Sequence, residues 1–250
     1  MKTAIIIGAT SGIGYALAIR MAREGWTVGA AGRRKDRLEA LAAQFPEGTI
    51  RTQVLDVTKP DATEALDALL LKTGAPDLFV HVSGIGRQNT ALDEDIEVRT
   101  MDTNCTGMVR MVTHFVNYAK SSNAYSASHK AHIGVVTSAS AVAGMGTAAS
   151  YSSSKKLQST YLTALSQLAR MKKLPVRFSE IRPGFVDTDI LDKSKNYPML
   201  ITADKAAGYI LKGLQRKRRM IIFDWRFRVI TFIWRMVPRP LWERMTFITN

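Results

Sequence analysis

The 250-residue sequence contains one cysteine and no long uncharged apolar run. With Cys105 alone, an internal disulfide is excluded, and the composition suits a reducing compartment. A membrane-spanning helix is not expected, because it needs roughly eighteen or more consecutive apolar residues. The apolar run at residues 4–7 is too short for a signal peptide and ends at Gly8. These absences predict a cytoplasmic protein.

Acidic residues are also few. The chain carries 35 Lys and Arg against 21 Asp and Glu, a formal net charge of +14. A surplus of this size suits nucleic acid, anionic lipid or anionic small molecules as partners. Where the charge lies in the fold must decide among these partners.

Short β-branched runs alternate with longer amphipathic stretches, which predicts a doubly wound α/β fold with a parallel sheet. Strands are predicted at Thr3–Ile7, Thr27–Ala31, Thr49–Leu55, Leu78–Val82, His132–Thr137, Val176–Ile181 and Arg219–Phe223. Helices are predicted at Ile13–Arg23, Arg37–Gln44, Asp61–Leu71, Ile96–Lys120, Tyr151–Met171 and Ala203–Leu214. We expect one domain over residues 1–215, with a basic, aromatic extension over residues 216–250.

A glycine-rich segment, Gly8-Ala9-Thr10-Ser11-Gly12-Ile13-Gly14, joins the first strand to the first helix. Glycines there permit a tight turn and a close approach of the backbone to a pyrophosphate, which the free N–H groups of the helix would bind. Glycine also occurs in turns for steric reasons alone. The position between strand and helix favours a dinucleotide site.

The end of the second strand predicts which dinucleotide binds. An NAD site usually has a carboxylate there for the ribose hydroxyls, whereas this chain has Gly32, Arg33 and Arg34. Guanidinium groups suit a 2′-phosphate, so NADP(H) is the predicted cofactor; a solvated arginine pair is the alternative. Asp56, at the end of the third strand, is a candidate acceptor for the adenine amine.

Tyr151 and Lys155 lie four residues apart on a predicted helix and therefore share a face. A nearby ammonium favours the phenolate, so we expect the pKa of Tyr151 to fall from about 10 towards neutrality. Tyr151 would then donate and accept protons at physiological pH. Such a pair is common on solvated surfaces, and its meaning depends on Ser138, thirteen residues upstream of Tyr151.

Several motifs occur in order along the chain: Gly8-x-x-x-Gly12-x-Gly14, Asn104, Ser138, Tyr151-x-x-x-Lys155 and Pro183-Gly184-Phe185-Val186-Asp187-Thr188. Together they resemble the short-chain dehydrogenases/reductases, over roughly residues 3–210. The resemblance implies a Rossmann fold and hydride transfer between NAD(P) and a carbonyl or alcohol. It also implies a homo-oligomer, either a dimer or a tetramer.

The resemblance implies a role for each matching residue. Tyr151 would protonate the carbonyl oxygen, and Lys155 would lower its pKa and hold the nicotinamide ribose. Ser138 would hydrogen-bond the substrate oxygen. Asn104 would help hold a water between Lys155 and solvent, and Thr188 would contact the carboxamide. The expected cofactor contacts are Gly8, Thr10, Ser11, Gly12, Ile13, Gly14, Arg33, Arg34, Asp56, Val57, Ser83, Gly84, Tyr151, Lys155, Pro183, Gly184, Val186 and Thr188.

Three points complicate the resemblance. The family's Asn-Asn-Ala-Gly is here His81-Val82-Ser83-Gly84, and we expect His81 to be a buried histidine with satisfied hydrogen bonds. The segment Tyr125–Lys130 is similar in sequence to the motif Tyr151-x-x-x-Lys155. Its tyrosine and lysine are five residues apart, which would direct the lysine away from the tyrosine on a helix. Ser140 is an alternative to Ser138 as the serine of the site, and the thirteen-residue separation from Tyr151 favours Ser138.

The extension is basic and aromatic. From Lys212, just before it, to Arg239 the chain has nine basic residues and one acid, Asp224. Trp225–Val237 reads as an amphipathic helix of the kind that lies in a membrane surface. The alternatives are packing onto the core, a lid over an apolar substrate, or a subunit interface. Nucleic-acid binding is not predicted, because the aromatic residues follow an apolar face and are not isolated stacking platforms.

The sequence therefore predicts an NADP(H)-dependent carbonyl reductase or alcohol dehydrogenase, located in the cytoplasm or at the inner face of a membrane. Met145, Phe185, Tyr197 and Met199 fall in segments that would flank the active site and indicate an apolar substrate. Residues 187–202 are expected to form a substrate loop. The alternative is a catalytically quiet NADP-binding protein with a regulatory or membrane-peripheral role.

Overall fold

The computed structural model describes residues 2–192 and 194–246. Its strands are β1 (Thr3–Ile7), β2 (Thr27–Gly32), β3 (Ile50–Val54), β4 (Leu78–His81), β5 (Ala131–Val136), β6 (Val176–Ile181), β7 (Val186–Asp187), β8 (Ile201–Thr202) and β9 (Met220–Ile221). Seven of them form a parallel sheet in the order β3-β2-β1-β4-β5-β6-β9, while β7 and β8 pair separately. The predicted doubly wound α/β fold is confirmed.

The helices are α1 (Gly12–Arg23), α2 (Lys35–Ala42), α3 (Ala62–Thr73), α4 (Glu94–Met101), α5 (Gly107–Ser121), α6 (Ala149–Met171), α7 (Ala203–Gln215), α8 (Trp225–Met236) and α9 (Arg239–Arg244). The prediction of one continuous helix over Ile96–Lys120 was wrong. A π-helical segment, Asp102–Thr106, separates α4 from α5. Such segments insert a residue into the helical repeat, which a 3.6-residue periodicity cannot reveal.

Helices cover both faces of the sheet, so successive strand residues are buried on opposite sides. Ile6 faces a core formed with α1, α2 and α7, whereas Ile5 and Phe79 face a core formed with α3, α5 and α6. Phe79 stacks on Phe115 of α5 with ring centroids 4.4 Å apart. Two-sided burial is therefore the reason for the nearly continuous apolar runs in the strands.

The extension enters the sheet through β9, which pairs with the end of β6 at Ile181 and Ile221. Because the two strands are parallel, the basic run 216–219 lies towards the amino edge of β6, and α8 begins at the carboxyl edge. Lys217 and Arg219 line a surface depression with the loop before β6. The basic tail is thus divided between two sides of the molecule. Residues 247–250 of the predicted extension lie outside the described residues.

Within residues 2–192 and 194–246, none of the helices has both the length and the apolar character needed to cross a membrane.

Candidate active site

A cleft of about 190 Å³ opens at the carboxyl edge of the sheet, where the strand order reverses between β1 and β4. Ligands of open parallel sheets bind at such reversals. Nearly all of the predicted site residues line the cleft: Gly8, Thr10, Ser11, Gly12, Ile13, Arg33, Arg34, Asp56, Val57, Ser83, Gly84, Ser138, Tyr151, Lys155, Pro183, Gly184, Val186 and Thr188. Gly14 and Asn104 lie outside its lining. Parallel packing alone brings these distant segments together.

The turn after β1 requires glycine and leaves room for a ligand. Gly8 and Gly12 have φ angles of +99° and +54°, in the left-handed region that favours glycine. A Cβ at Gly8 would lie 2.6 Å from the Ser83 nitrogen, and one at Gly14 would lie 2.1 Å from the Gly8 oxygen. Gly14 therefore serves the close packing of α1 on the turn, although it does not line the cleft.

The amino end of α1 suits an anion. Its N-cap residue, Ser11, makes no side-chain capping hydrogen bond, and no acidic residue occurs in the first turn. The first N–H groups of the helix and the positive end of its dipole therefore face the cleft without a competing side chain. This cradle fits the pyrophosphate of a dinucleotide.

The end of β2 has no space for the carboxylate of a typical NAD site. A Cβ at Gly32 would lie 2.6 Å from the methyl group of Thr10. Arg34 donates a hydrogen bond of 3.0 Å to the Thr10 hydroxyl, which fixes one guanidinium group beside the glycine turn. Arg33 is exposed at the rim of the same cleft. This corner is cationic and ready to contact a phosphate.

Asp56 lies opposite Arg33 at the end of β3. Partial burial acts to raise the pKa of Asp56, but hydrogen bonds from the Thr58 backbone and hydroxyl, with the charge of Arg33, hold it below its usual value. The donor–acceptor distances to Asp56 Oδ1 are 3.0 and 2.8 Å. Asp56 is therefore a carboxylate that can accept a hydrogen bond at neutral pH.

Tyr151 and Ser138 meet at the inner end of the cleft. Ser138 is 8% exposed at the end of β5, and its hydroxyl lies close enough to the Tyr151 hydroxyl to influence the pKa of Tyr151. Gly86 packs on the tyrosine ring so tightly that a Cβ there would lie 2.4 Å from Cδ2. Ser140 lies nearby, but its backbone nitrogen donates to the Ser138 hydroxyl at 3.1 Å and thereby holds Ser138 in place.

Lys155 is buried beneath Tyr151, with 4% of its surface exposed. Its ammonium donates to the Val136 carbonyl and to Gln158 Oε1, each at 3.2 Å, and lies 5.7 Å from the centroid of the Tyr151 ring. Burial lowers the pKa of Lys155 to about 8, partly opposed by Cys105. The pKa of this desolvated ammonium therefore lies close to physiological pH.

The expected fall in the pKa of Tyr151 is not found in this conformation. Burial raises the pKa of Tyr151, and the neighbouring Ser138 hydroxyl opposes that rise. The physical reason is that desolvation penalises the phenolate, while the Lys155 ammonium is directed to a carbonyl and an amide oxygen. The spacing of four residues correctly placed the two side chains together but did not reveal their desolvation.

Asn104 lies in the π-helical segment, fully buried. Its side-chain oxygen accepts from the Ile85 nitrogen, and its amide donates to the Ile85 oxygen, both at 2.8 Å. It therefore clamps the segment that follows β4. The Asn104 main-chain oxygen accepts a 2.7 Å hydrogen bond from Gln158, which also binds Lys155. Sequence reasoning missed Gln158, although it lies one helical turn after Lys155.

His81 is completely buried at the end of β4, as expected, but its hydrogen bonds are not satisfied. Within the described residues neither ring nitrogen has a partner of good geometry, although the Ser83 backbone lies close enough to favour the protonated ring slightly. Burial, together with the charge of Lys155, lowers the pKa of His81 to about 3. His81 is therefore neutral in the folded protein across the physiological range.

We expect His81→Asn to reduce the acid sensitivity of folding. Below pH 6.5 the unfolded chain binds a proton at His81 that the folded chain cannot accept until about pH 3. Stability is then lost by about 1.4 kcal/mol per pH unit, or about 2 kcal/mol at pH 5. Urea unfolding at about pH 7.5 and pH 5 measures this loss in both proteins. His132 is present in both, so its own acid penalty cancels; an equal pH dependence would contradict the prediction.

A second cavity, of about 310 Å³, adjoins the cleft and shares Ser138, Tyr151 and Gly184 with it. The four residues predicted to flank the active site, Met145, Phe185, Tyr197 and Met199, all line it. One wall is contributed by α8 and consists of Phe227, Ile230, Thr231 and Trp234. A lid over an apolar substrate was one of the alternatives predicted for this helix. Most of the lining surface is apolar, and Ser138 and Tyr151 are among its polar residues.

The segment Tyr125–Lys130 is remote from both cavities, as expected. Tyr125 is buried against Phe115, and its hydroxyl donates a 2.8 Å hydrogen bond to the Pro76 oxygen. Burial also raises the pKa of Tyr125.

Comparisons with known proteins agree with this geometry. A family model described as short chain dehydrogenase matches residues 2–198. An uncharacterized oxidoreductase of Myxococcus xanthus is 34% identical over 249 residues, which cover 97% of this chain and 95% of that protein. A short-chain dehydrogenase/reductase from Burkholderia phymatum in complex with NAD superposes with a TM-score of 0.79 at 20% identity, covering 92% of each chain. An alcohol dehydrogenase from Thermococcus sibiricus with 5-hydroxy-NADP gives 0.75 at 26% identity, covering 89% of this chain and 96% of that one.

Proposed function

The chain is an oxidoreductase that belongs to the short-chain dehydrogenase family, and from this premise we propose that it transfers hydride between NADP(H) and an apolar carbonyl or alcohol. The observation that carries the proposal is the position of Tyr151. Its side chain, beside that of Ser138, lies on the wall shared by the dinucleotide cleft and the apolar cavity. A proton donor is needed at such a junction.

The chain's residues suit the cofactor along the whole cleft. The turn Gly8–Gly14 and the amino end of α1 would hold the pyrophosphate, and Asp56 would accept from the adenine amine. Arg33 would bind the 2′-phosphate, with Arg34 positioned by Thr10. Lys155 would bind the nicotinamide ribose, and Thr188 would contact the carboxamide. The absence of a carboxylate at Gly32 favours NADP(H) over NAD(H).

Proton transfer falls to the residues at the junction. When bound, NADPH supplies the hydride that adds to the carbonyl carbon. Tyr151 donates its hydroxyl proton to the carbonyl oxygen, so that an alcohol forms and a phenolate remains. Ser138 donates a hydrogen bond to the oxygen as negative charge develops there. The Lys155 ammonium lies 5.7 Å from the centroid of the ring, and its positive charge would stabilise the phenolate that proton transfer leaves.

The lining of the second cavity favours an apolar substrate of moderate size. Consumption of NADPH with a panel of aliphatic, aromatic and polycyclic aldehydes and ketones tests this. Failure with every compound would favour the catalytically quiet alternative. The proposal also includes a homodimer or homotetramer, peripheral contact of the C-terminal segment with a membrane, and no nucleic-acid partner. The basic residues are divided between the amino and carboxyl ends of the strands, which does not favour one continuous nucleic-acid-binding surface.

We expect Arg33→Ala to weaken NADPH binding by about tenfold to a hundredfold, because a charge-assisted hydrogen bond to the 2′-phosphate is lost. NADH affinity should change little, since NADH lacks that phosphate. Titration of each cofactor by quenching of intrinsic fluorescence measures both constants. Arg37→Ala, on the exposed side of α2, is the matched control and should alter neither. Tighter binding of NADH than of NADPH by the unaltered protein would refute the cofactor assignment.

A further inference from the structure

We propose that α8 docks on an anionic lipid membrane with its outer face, while its inner face closes the substrate cavity. A substrate dissolved in the membrane would then move along α8 into the cavity and reach Tyr151. The inference deepens the proposed function, because it names the phase from which the apolar carbonyl or alcohol comes.

The inner face of α8 is anchored on the active-site wall. Phe227, 8% exposed, packs on Gly184 so closely that a Cβ there would lie 2.1 Å from its ring, and it makes an edge contact with Phe185. Thr231 is 4% exposed, and its hydroxyl is satisfied by the Phe227 oxygen at 2.7 Å. With the half-buried Trp234, these residues form a narrow inward-facing stripe at spacings of four and three.

The following short helix provides a second anchor. Trp242 of α9 donates its indole N–H to the Gly144 oxygen at 2.6 Å, and its ring lies 4.8 Å from that of Trp234. The two helices are therefore held at both ends of the cavity. They do not form a loose tail.

The outer face of α8 is apolar where a surface helix is usually polar. Its exposed residues include Trp225 (73%), Val229 (46%), Phe232 (65%), Ile233 (57%) and Met236 (68%). At about 100° per residue, these side chains lie on the side opposite Phe227 and Thr231. A contiguous apolar surface of this kind indicates a partner that removes it from water.

The charges beside this face point to anionic lipid and not to a second copy of the chain. Asp224 is paired with Arg226, and Glu243 is paired with Arg239. Further guanidinium groups in the described part of the tail, those of Arg228, Arg235 and Arg244, have no acidic partner there. A second copy would bring the same positive surplus, whereas anionic headgroups would neutralise it.

Arg228 and Arg235, seven residues apart, lie along one flank of the apolar face. Arginine side chains at such positions can extend to the headgroups while their stems cover apolar surface. The arrangement suits a helix lying in the plane of the membrane surface.

The cavity lies directly behind this surface. Ile230 and Trp234 line the cavity, while Phe232 and Ile233 project outward from the same helical turns. The thickness of one helix, about 10 Å, therefore separates the docked face from the substrate cavity. A poorly soluble substrate could pass between membrane and cavity along α8 without crossing bulk water. The chemical class expected is a long-chain or polycyclic carbonyl or alcohol that partitions into lipid.

Co-sedimentation with vesicles of phosphatidylcholine containing about one third phosphatidylserine tests the docking. Phe232→Glu with Ile233→Glu should weaken binding at least a hundredfold, because two apolar side chains that the membrane would bury are lost and negative charge is added. Arg228→Gln with Arg235→Gln should weaken it about thirtyfold, since each cation near an anionic surface contributes about a fivefold factor. The second pair leaves the apolar face intact and guards against misfolding of the first.

Two matched controls remove the same kinds of group elsewhere. Arg216→Gln with Arg218→Gln takes the same charge from the opposite edge of the sheet, and Leu71→Glu alters a side chain that is 87% exposed on α3. Both controls should bind vesicles as the unaltered protein does. Equal loss in the controls, equal binding by all variants, or no binding by the unaltered protein would each overturn the proposal. The proposal would also be overturned if the unaltered protein were a dimer that binds no vesicles and if Phe232→Glu with Ile233→Glu converted that dimer to a monomer.

Turnover separates docking from the proposed function. The outer-face variants should reduce a small water-soluble ketone normally but lose activity on a polycyclic ketone carried in the vesicles. Vesicle binding without NADPH consumption on any carbonyl would leave the docking intact and refute the proposed function. Normal turnover of the vesicle-borne ketone by the outer-face variants would refute delivery along α8.

Discussion

Replacing Tyr151 by phenylalanine should lower kcat by about 10²–10⁴-fold, the range expected when a positioned general acid is removed. The change deletes the hydroxyl that lies beside Ser138 at the junction of cleft and cavity, and retains the ring that packs on Gly86. NADPH affinity should therefore remain within a few fold of normal. Steady-state consumption of NADPH, with cofactor titration on the same preparation, measures both quantities.

Tyr125→Phe is the matched control for this prediction. It removes a hydroxyl from a motif of similar sequence, but that hydroxyl bonds to Pro76 in the core. We expect a loss of about 1 kcal/mol in the free energy of unfolding and unchanged kcat. If Tyr151→Phe retains full activity while both variants fold normally, Tyr151 is not the proton donor.

Lys155→Met should lower kcat about 10²–10³-fold and weaken NADPH binding, since it removes the buried ammonium beneath Tyr151. A lysine is charged below its pKa, and burial lowers that of Lys155 to about 8. In the unaltered protein, kcat/KM should accordingly fall as the pH rises through about 8. The residual activity of the methionine variant should lack this decline. Profiles of kcat/KM between about pH 6 and pH 10 measure the difference.

Lys156→Met is the control, because Lys156 is the exposed neighbour on α6 and its ammonium contacts the Val142 oxygen at 3.3 Å. It should keep both the rate and the decline above pH 8. A decline that persists unchanged in Lys155→Met would assign the titration to another group. Thermal unfolding of each variant distinguishes loss of the cation from loss of the fold.

Much of the fold was predictable because its signals are local. The strands β1 and β6 occur where their β-branched runs predicted, and the glycine turn lies between β1 and α1. Steric needs of the backbone determine Gly8 and Gly12, whose positive φ values other residues rarely adopt. Parallel pairing then follows from alternation of strands and helices.

The predictions that failed concern interactions between distant segments. The π-helical segment around Asn104 depends on contacts with the residues after β4 and with Gln158 of α6, so no periodicity within 96–120 could show it. The direction of the Tyr151 pKa shift depends on how much water reaches the ring. Spacing on a helix determines neighbours and does not determine solvation.

By itself, the sequence determined the α/β class, the glycine turn after β1, the missing carboxylate at Gly32, and the pairing of Tyr151 with Lys155 on one helical face. Tertiary structure alone decided that Lys155 is desolvated, that Gln158 holds it, and that α8 forms a wall of the second cavity. It also divided the basic tail, because the pairing of β9 with β6 places residues 216–219 towards the amino ends of the strands and α8 at their carboxyl ends. Backbone preferences are properties of neighbouring residues, whereas desolvation and strand pairing depend on which distant segments exclude water together.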